Sequence, residues 1–355
     1  MTRTNALVVG STGISGSNLA DLLLEKGWTV HGLARTPSSS GGVKPVAADL
    51  LDIASVRRGV AGLDISHVFF CTWSRQANEV ENCRVNGLML RNLLDGVGAS
   101  SKPDHVALVT GLKHYLGPFE SYGQVKPDTP FSEDQARLPF QNFYYEQEDI
   151  LFETAARDGF KWSVHRPHTL IGWALGNAMN MGVTLAVYAA ICKETGRPFV
   201  FPGSPEQYEA VTDVTDARIL ARQVLWASTT PAAFNQALNI VNGDVFRWRR
   251  LWGKIAENLG VEAAPYPGRP TPLADQMAGA ADVWAKIVAK HGLKPYALET
   301  LASWWHTDAD LGRALETFTD MTKSRRLGFM DLQVTEASFT DLFDRLRREK
   351  IIPAA

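Results

Sequence analysis

Short apolar runs alternate with longer stretches of helical character through the first half of the chain. Residues 6–9, 30–34, 46–48, 68–72, 106–110 and 162–165 are brief, apolar and bounded by turn residues, which predicts six strands. Between them, residues 16–26, 55–60, 79–97 and 142–157 carry the helical pattern. Strands that alternate with helices need crossover connections, and those are right-handed, so the pattern predicts an α/β fold built on a doubly wound parallel sheet. Such sheets bind ligands at the carboxyl ends of their strands.

Beyond Pro167 the pattern turns helical and aromatic, with one more strand expected at 238–241 and helices near 213–228 and 247–259. The proline-rich stretch 264–272 reads as a connector before helices at 275–291 and 295–305. The expected division is 1–172 for the main dinucleotide-binding domain and 173–355 for a smaller, mainly helical substrate-binding lobe, with 213–245 returning to the first. Trp248 with Trp252, and Trp304 with Trp305, are spaced to line a pocket, although aromatic residues at that spacing belong more often to a core.

Composition narrows the partners. A chain of 355 residues with 45% hydrophobic content buries a sizeable core, and a net charge of −2 provides no basic field for nucleic acid or an acidic membrane surface. No apolar run reaches the roughly 18 residues of a membrane span; the longest, 181–192, falls well short. Cys71, Cys83 and Cys192 are odd in number and widely spaced, which fits a reducing cytoplasm and argues against disulfides or structural zinc. The eight histidines form no zinc motif, so no metal is expected, and Glu146, Glu148 and Asp149 read as the solvated face or first turn of a helix. No Gly-x-Ser-x-Gly elbow is present for hydrolysis. The remaining partner is a small molecule, and a homodimer and a monomer both fit the chain.

The run Gly10-Ser11-Thr12-Gly13-Ile14-Ser15-Gly16 falls between the first strand and the first helix, where glycines allow a tight turn and the helix N-terminus offers N–H groups to a pyrophosphate. That context predicts a Rossmann-type dinucleotide site. At the end of the second strand stands Arg35, not an acidic residue, and a guanidinium there suits a 2'-phosphate, which favours NADP(H). Asp49 and Leu50 are placed to touch the adenine, and Thr72 and Trp73 end the fourth strand on the same rim.

Lys113 lies just past the fifth strand and Tyr144 opens a long helix, so the two approach the nicotinamide from different elements. The residue four past Tyr144 is Glu148, so the Tyr-x-x-x-Lys pair of most short-chain dehydrogenases is absent. Taken alone, Lys113 reads as a surface charge and Tyr144 as a core residue. The surrounding motifs reverse that reading. Gly10-x-x-Gly13-Ile14-x-Gly16, Cys71-Thr72-Trp73, Thr110-Gly111-x-Lys113-His114-Tyr115-x-Gly117-Pro118-Phe119, Asn142-Phe143-Tyr144-Tyr145-x-x-Glu148-Asp149 and His165-Arg166-Pro167 together resemble the progesterone 5β-reductase/iridoid synthase family, within the short-chain dehydrogenase/reductase superfamily. The likeness runs through most of the chain, as far as Thr322-Lys323-Ser324.

The resemblance implies NADPH-dependent 1,4-reduction of an enone or enal, with hydride delivered to the β-carbon, Tyr144 stabilising the enolate oxygen and Lys113 supporting it. It implies that Thr110, Tyr144, Pro167, Leu170, Asn177, Ala178 and Met179 border the cofactor and that Trp73, Phe119 and Tyr144 face substrate. It assigns His114 and Tyr115 a supporting role through hydrogen bonds. Two positions depart from the family: His168 stands where glycine is usual, and Thr36 where a second arginine is usual. Two alternatives remain open here, an extended dehydrogenase acting on an alcohol or nucleotide sugar and a non-catalytic NADP(H) sensor.

Overall fold

In the computed structural model, residues 3–37, 40–118, 121, 127–176 and 179–354 are described. The strands are β1 (Asn5–Val9), β2 (Thr29–Ala34), β3 (Lys44–Ala47), β4 (His67–Phe70), β5 (His105–Val109), β6 (Lys161–Pro167), β7 (Leu170–Ile171), β8 (Thr215–Asp216) and β9 (Gln236–Ile240). The helices of the first half are α1 (Ile14–Glu25), α2 (Ile53–Val60), α3 (Glu79–Gly98), α4 (Lys113–Leu116) and α5 (Phe143–Asp158). Those of the second half are α6 (Met181–Thr195), α7 (Pro205–Glu209), α8 (Ala217–Thr229), α9 (Trp248–Leu259), α10 (Leu273–Gln276), α11 (Ala281–His291), α12 (Leu298–Leu301), α13 (Trp304–Leu311), α14 (Thr322–Arg326) and α15 (Thr335–Arg348).

Seven strands form one parallel sheet in the order β3-β2-β1-β4-β5-β6-β9. Successive strand residues face opposite ways and fill two different layers. Leu7, Val9, Val68, Phe70, Val106 and Leu108 pack with α2, α3 and α5, while Ala6, Val8, Phe69 and Ala107 pack with α1 and α8. Chain order reverses between β1 and β4, which opens a crevice at the carboxyl end of the sheet. A further hydrophobic cluster joins α6, α9, α11 and α15, and Trp248 and Trp252 lie inside it, Trp252 stacked 4.3 Å from Phe199. Those two tryptophans are core, not pocket lining.

Several expected elements are corrected. The strands expected at 68–72 and 106–110 stop at Phe70 and Val109, because the chain leaves the sheet at Cys71 and Thr110 to form the cleft rim. The helix expected at 275–291 is broken: Gly279 takes a positive φ of 73° between α10 and α11. The one expected at 295–305 divides into α12 and α13, since Ala302 and Ser303 are extended and the Ser303 N–H donates to Thr184 Oγ1 at 3.1 Å. The helix expected at 213–228 begins only at Ala217, capped by Asp216, because Thr215 and Asp216 pair with β7. The strand expected at 162–165 runs two residues further, to Pro167. Among the described residues, no helix is long and apolar enough to cross a membrane.

Candidate active site

The glycine turn joins β1 to α1 at the bottom of the crevice. Gly10 holds φ at 80°, and a Cβ there would meet the Cys71 carbonyl oxygen and Thr72 Cβ, each at 2.8 Å, while one on Gly16 would run into the Gly10 carbonyl. The chain therefore comes as close to β4 as a backbone can. The N-cap of α1, Gly13, makes no side-chain cap, so the first N–H groups of the helix face the crevice without an internal acceptor. Those features fit the pyrophosphate of a dinucleotide.

Two adjoining cavities follow. The larger, about 500 Å³, is lined by Gly10, Thr12, Gly13, Ile14, Thr72, Trp73, Thr110, Lys113, Tyr144, Pro167, Leu170 and Met179. The smaller, about 260 Å³, shares Gly10, Thr12, Thr72 and Trp73 and adds Arg35, Asp49 and Leu50. Every described residue expected at the site therefore lies on one continuous cleft; Phe119, Asn177 and Ala178 lie outside the described residues. Arg35 is exposed on the rim and forms no ion pair among the described residues. A larger groove of about 950 Å³, lined by Arg247, Arg250 and Lys254, contains none of the motif residues.

Asn142 connects the two central side chains. Its Oδ1 caps α5 by accepting from the Tyr144 N–H at 3.0 Å, and its Nδ2 donates to the Lys113 carbonyl at 2.6 Å. Tyr144 thus sits in the first turn of α5 with its hydroxyl against Gly111: a Cβ added there would stand 3.4 Å from that oxygen and 3.3 Å from the Pro167 carbonyl. Lys113 is 7% exposed, and its ammonium lies 3.6 Å from Glu79 Oε2, 5.0 Å from the Phe143 ring centre and 5.6 Å from that of Trp73. Glu79 in turn accepts from the Phe143 N–H at 2.8 Å through Oε1. A carboxylate and two ring faces thus border this buried ammonium. Tyr145 points elsewhere, its hydroxyl donating to the His114 carbonyl at 2.5 Å and accepting from the Leu138 N–H at 3.0 Å.

Glu148 corrects the sequence reading. It is 1% exposed, not solvated, and bonds Arg166 Nη2 and Arg137 Nη2, each at 3.0 Å. Burial raises its carboxyl, but His114 and Arg166 outweigh that and hold it at about 2. His114 Nδ1 stands 3.6 Å away, so the short bonds to this carboxylate come from the two arginines. The Tyr115 hydroxyl donates to Asn239 Oδ1 at 2.6 Å and ties this network to β9. Glu146 and Asp149 are exposed, as the helical pattern predicts.

The second half of the chain brings residues that sequence reasoning did not find. His306, Asp310 and Arg313, with Thr169, line the larger cavity, and His168 beside them is buried against Asp213. The spacing His306-x-x-x-Asp310 puts those two on one face of α13, the only trace of them in the sequence, and Arg313 follows just beyond the helix end. Glu79 and Asn142 were also missed as partners of the motif; an acidic residue and a cap at helix starts were the available signals.

Sheet order, glycine turn and the pairing of lysine with tyrosine in one cleft define a Rossmann oxidoreductase of the short-chain dehydrogenase type. The model of the PRISE-like Rossmann-fold domain family matches residues 47–353, and the chain belongs to that family. It is 40% identical over 362 residues to (S)-8-oxocitronellyl enol synthase ISY1 of Nepeta racemosa, covering 98% of this chain and 93% of that protein. To the 3-oxo-Delta(4,5)-steroid 5-beta-reductase of Arabidopsis thaliana it is 39% identical over 362 residues, with the same 98% and 93% coverage. Among solved structures, UDP-glucose 4-epimerase of Thermotoga maritima superposes with a TM-score of 0.68 at 16% identity, over 97% of this chain and 99% of that one. The Thermus thermophilus UDP-glucose 4-epimerase complex with NAD gives 0.67 at 18%, with the same coverage. These last two likenesses are of fold.

Proposed function

We propose that the chain is an NADPH-dependent enone 1,4-reductase. The observation that carries this reading is that Lys113 and Tyr144, from separate elements, line one cleft, while the position where an alcohol dehydrogenase keeps its lysine holds Glu148, already engaged by Arg166. The curated relatives named above support the same reaction class. The glycine turn and the open N-terminus of α1 would hold the pyrophosphate, and Arg35 the 2'-phosphate. When bound, the nicotinamide supplies the hydride.

Hydride addition at the β-carbon shifts the double-bond electrons toward the carbonyl oxygen. Tyr144 donates a hydrogen bond to that oxygen, and the bond strengthens as charge collects there. The Lys113 ammonium adds positive potential from a buried position, where screening by water is weak. Asn142 sets both by bonding one backbone group of each. The test follows NADPH absorbance with 2-cyclohexen-1-one and with progesterone, wild type beside Tyr144→Phe. The wild type yields saturated ketone, and Tyr144→Phe lowers kcat about a hundred- to a thousandfold, the usual effect of removing one oxyanion donor. Allylic alcohol as product, or a Tyr144→Phe rate within about twofold of wild type, overturns the reading.

A further inference from the structure

Five polar side chains meet at the wall of the cleft that Tyr144 and Lys113 leave unused. His168 and Thr169 follow the end of β6, and His306, Asp310 and Arg313 come from α13 and the turn beyond it. All five line the same cavity as the motif residues.

Their hydrogen bonds reveal which atoms are left to receive a ligand. His168 is 3% exposed, and its Nδ1 meets Asp213 Oδ1 at 2.5 Å, while Asp213 Oδ2 accepts from the Thr319 N–H at 2.7 Å. A carboxylate only accepts, so Nδ1 presents its N–H to Asp213. The Nε2 of the same ring is buried and has no hydrogen-bond partner among the described residues. His306 Nε2 stands 3.9 Å from Asp310 Oδ2, beyond hydrogen-bond reach, and its buried Nδ1 has no partner among the described residues. Burial lowers the His306 pKa, against the opposing pull of Asp310.

Asp310 is ionised, since Arg313, His306 and His168 together outweigh the burial that would raise its carboxyl. Arg313 is turned onto its neighbours, with Nε donating to the Asp310 carbonyl at 2.9 Å and Nη2 to Thr169 Oγ1 at 3.3 Å. The Thr169 hydroxyl donates to Asp310 Oδ2 at 3.0 Å. The arginine's two bonds use two of the five N–H groups of its guanidinium. The wall thus holds donors beside the open His168 nitrogen, and a hydroxyl, which both donates and accepts, matches it.

We propose that this wall is a substrate subsite that receives a hydroxyl group carried by the enone in addition to its carbonyl, with the unpartnered His168 Nε2 as its main partner. The inference rests on the enone-reductase reading and extends it to substrate class. A buried site built to bond a hydroxyl rejects the analogue that lacks it, because the site's own polar atoms are then left unpaired. Selectivity therefore comes from His168, whose Nε2 has no partner among the described residues.

The test compares matched substrates: a linear 2-enal ending in a hydroxyl beside the same enal ending in a methyl, and 4-(hydroxymethyl)-2-cyclohexen-1-one beside its 4-ethyl analogue. In the wild type, kcat/KM favours the hydroxyl member of at least one pair by about tenfold or more. In His168→Phe that preference falls to about twofold or less, while the Kd for NADPH, read by fluorescence quenching, stays within about twofold. Should His168→Phe fail to fold, because Asp213 loses its partner, His306→Phe reads the same ratio and lowers it. Equal rates for both members of both pairs overturn the subsite and leave the reductase reading intact; turnover of none of the four removes both. A preference unchanged in the variants, with NADPH binding about tenfold weaker in His168→Phe, assigns the histidine to the cofactor instead and also overturns the proposal.

Discussion

Tyr144 owes its position to the residues on either side of it. Phe143 stacks on Trp73 at 5.2 Å and gives its N–H to Glu79, Asn142 caps the helix, and Gly111 leaves the tyrosine hydroxyl room against the Pro167 carbonyl. The motif was legible in the sequence because its residues are contiguous; the Glu79 that pairs with Lys113 was not, since it belongs to a different helix with no local mark of where its carboxylate points. Arg35 makes a separate prediction at this scale. It is exposed on the rim of the smaller cavity and Thr36, not a second arginine, follows it, so on the proposed reading a 2'-phosphate would rest on one guanidinium. Arg35→Ala lowers the NADPH-over-NADH ratio of kcat/KM by roughly tenfold or more, the worth of one charge-assisted hydrogen bond. A ratio unchanged in the variant removes Arg35 from cofactor choice.

The first turn of α5 is the element on which the site depends. Asn142 both caps that helix and bonds the backbone of α4, so Asn142→Ala removes two bonds at once. The expected cost is about 2–3 kcal/mol in urea unfolding, a cap of about 1–2 and a buried hydrogen bond of about 1, accompanied by a lower kcat. A loss of stability with kcat unchanged would show that the cap does not position Tyr144. Element types in the first half were readable because apolar runs and helical stretches alternate there without ambiguity. Farther along, the interruptions at Gly279 and at Ala302-Ser303 were hidden, since the second depends on a bond to Thr184 that only the folded chain supplies. Glu148 was misread for the same reason: its partners Arg166 and Arg137 are 18 and 11 residues away in sequence.

Across the whole molecule, the sheet carries buried histidines that make stability depend on pH. Burial pushes the His165 imidazole down to about 4, despite its bond to Gln223, and lowers that of His105 as well. The unfolded chain protonates its histidines near the usual 6.5, so it binds more protons than the folded state as pH falls from about 6.5 toward 4, and stability declines across that window. His165 alone accounts for about 2 kcal/mol between pH 7 and 5, and Glu148, held at about 2, extends the decline below the usual carboxylate range. Urea titrations at pH 7 and 5 check this; equal unfolding free energies at the two would contradict it. The doubly wound sheet and its crevice could be inferred from the strand-helix alternation, whereas the wall built by His306, Asp310 and Arg313 could not, because over a hundred residues separate it from β6 in sequence. The central claim, hydride delivery to a conjugated double bond, is tested most directly by the position of the label. With NADPH deuterated at the transferable position and 2-cyclohexen-1-one as substrate, the account predicts cyclohexanone carrying deuterium at the β-carbon. Deuterium on the carbinol carbon of an allylic alcohol would contradict it.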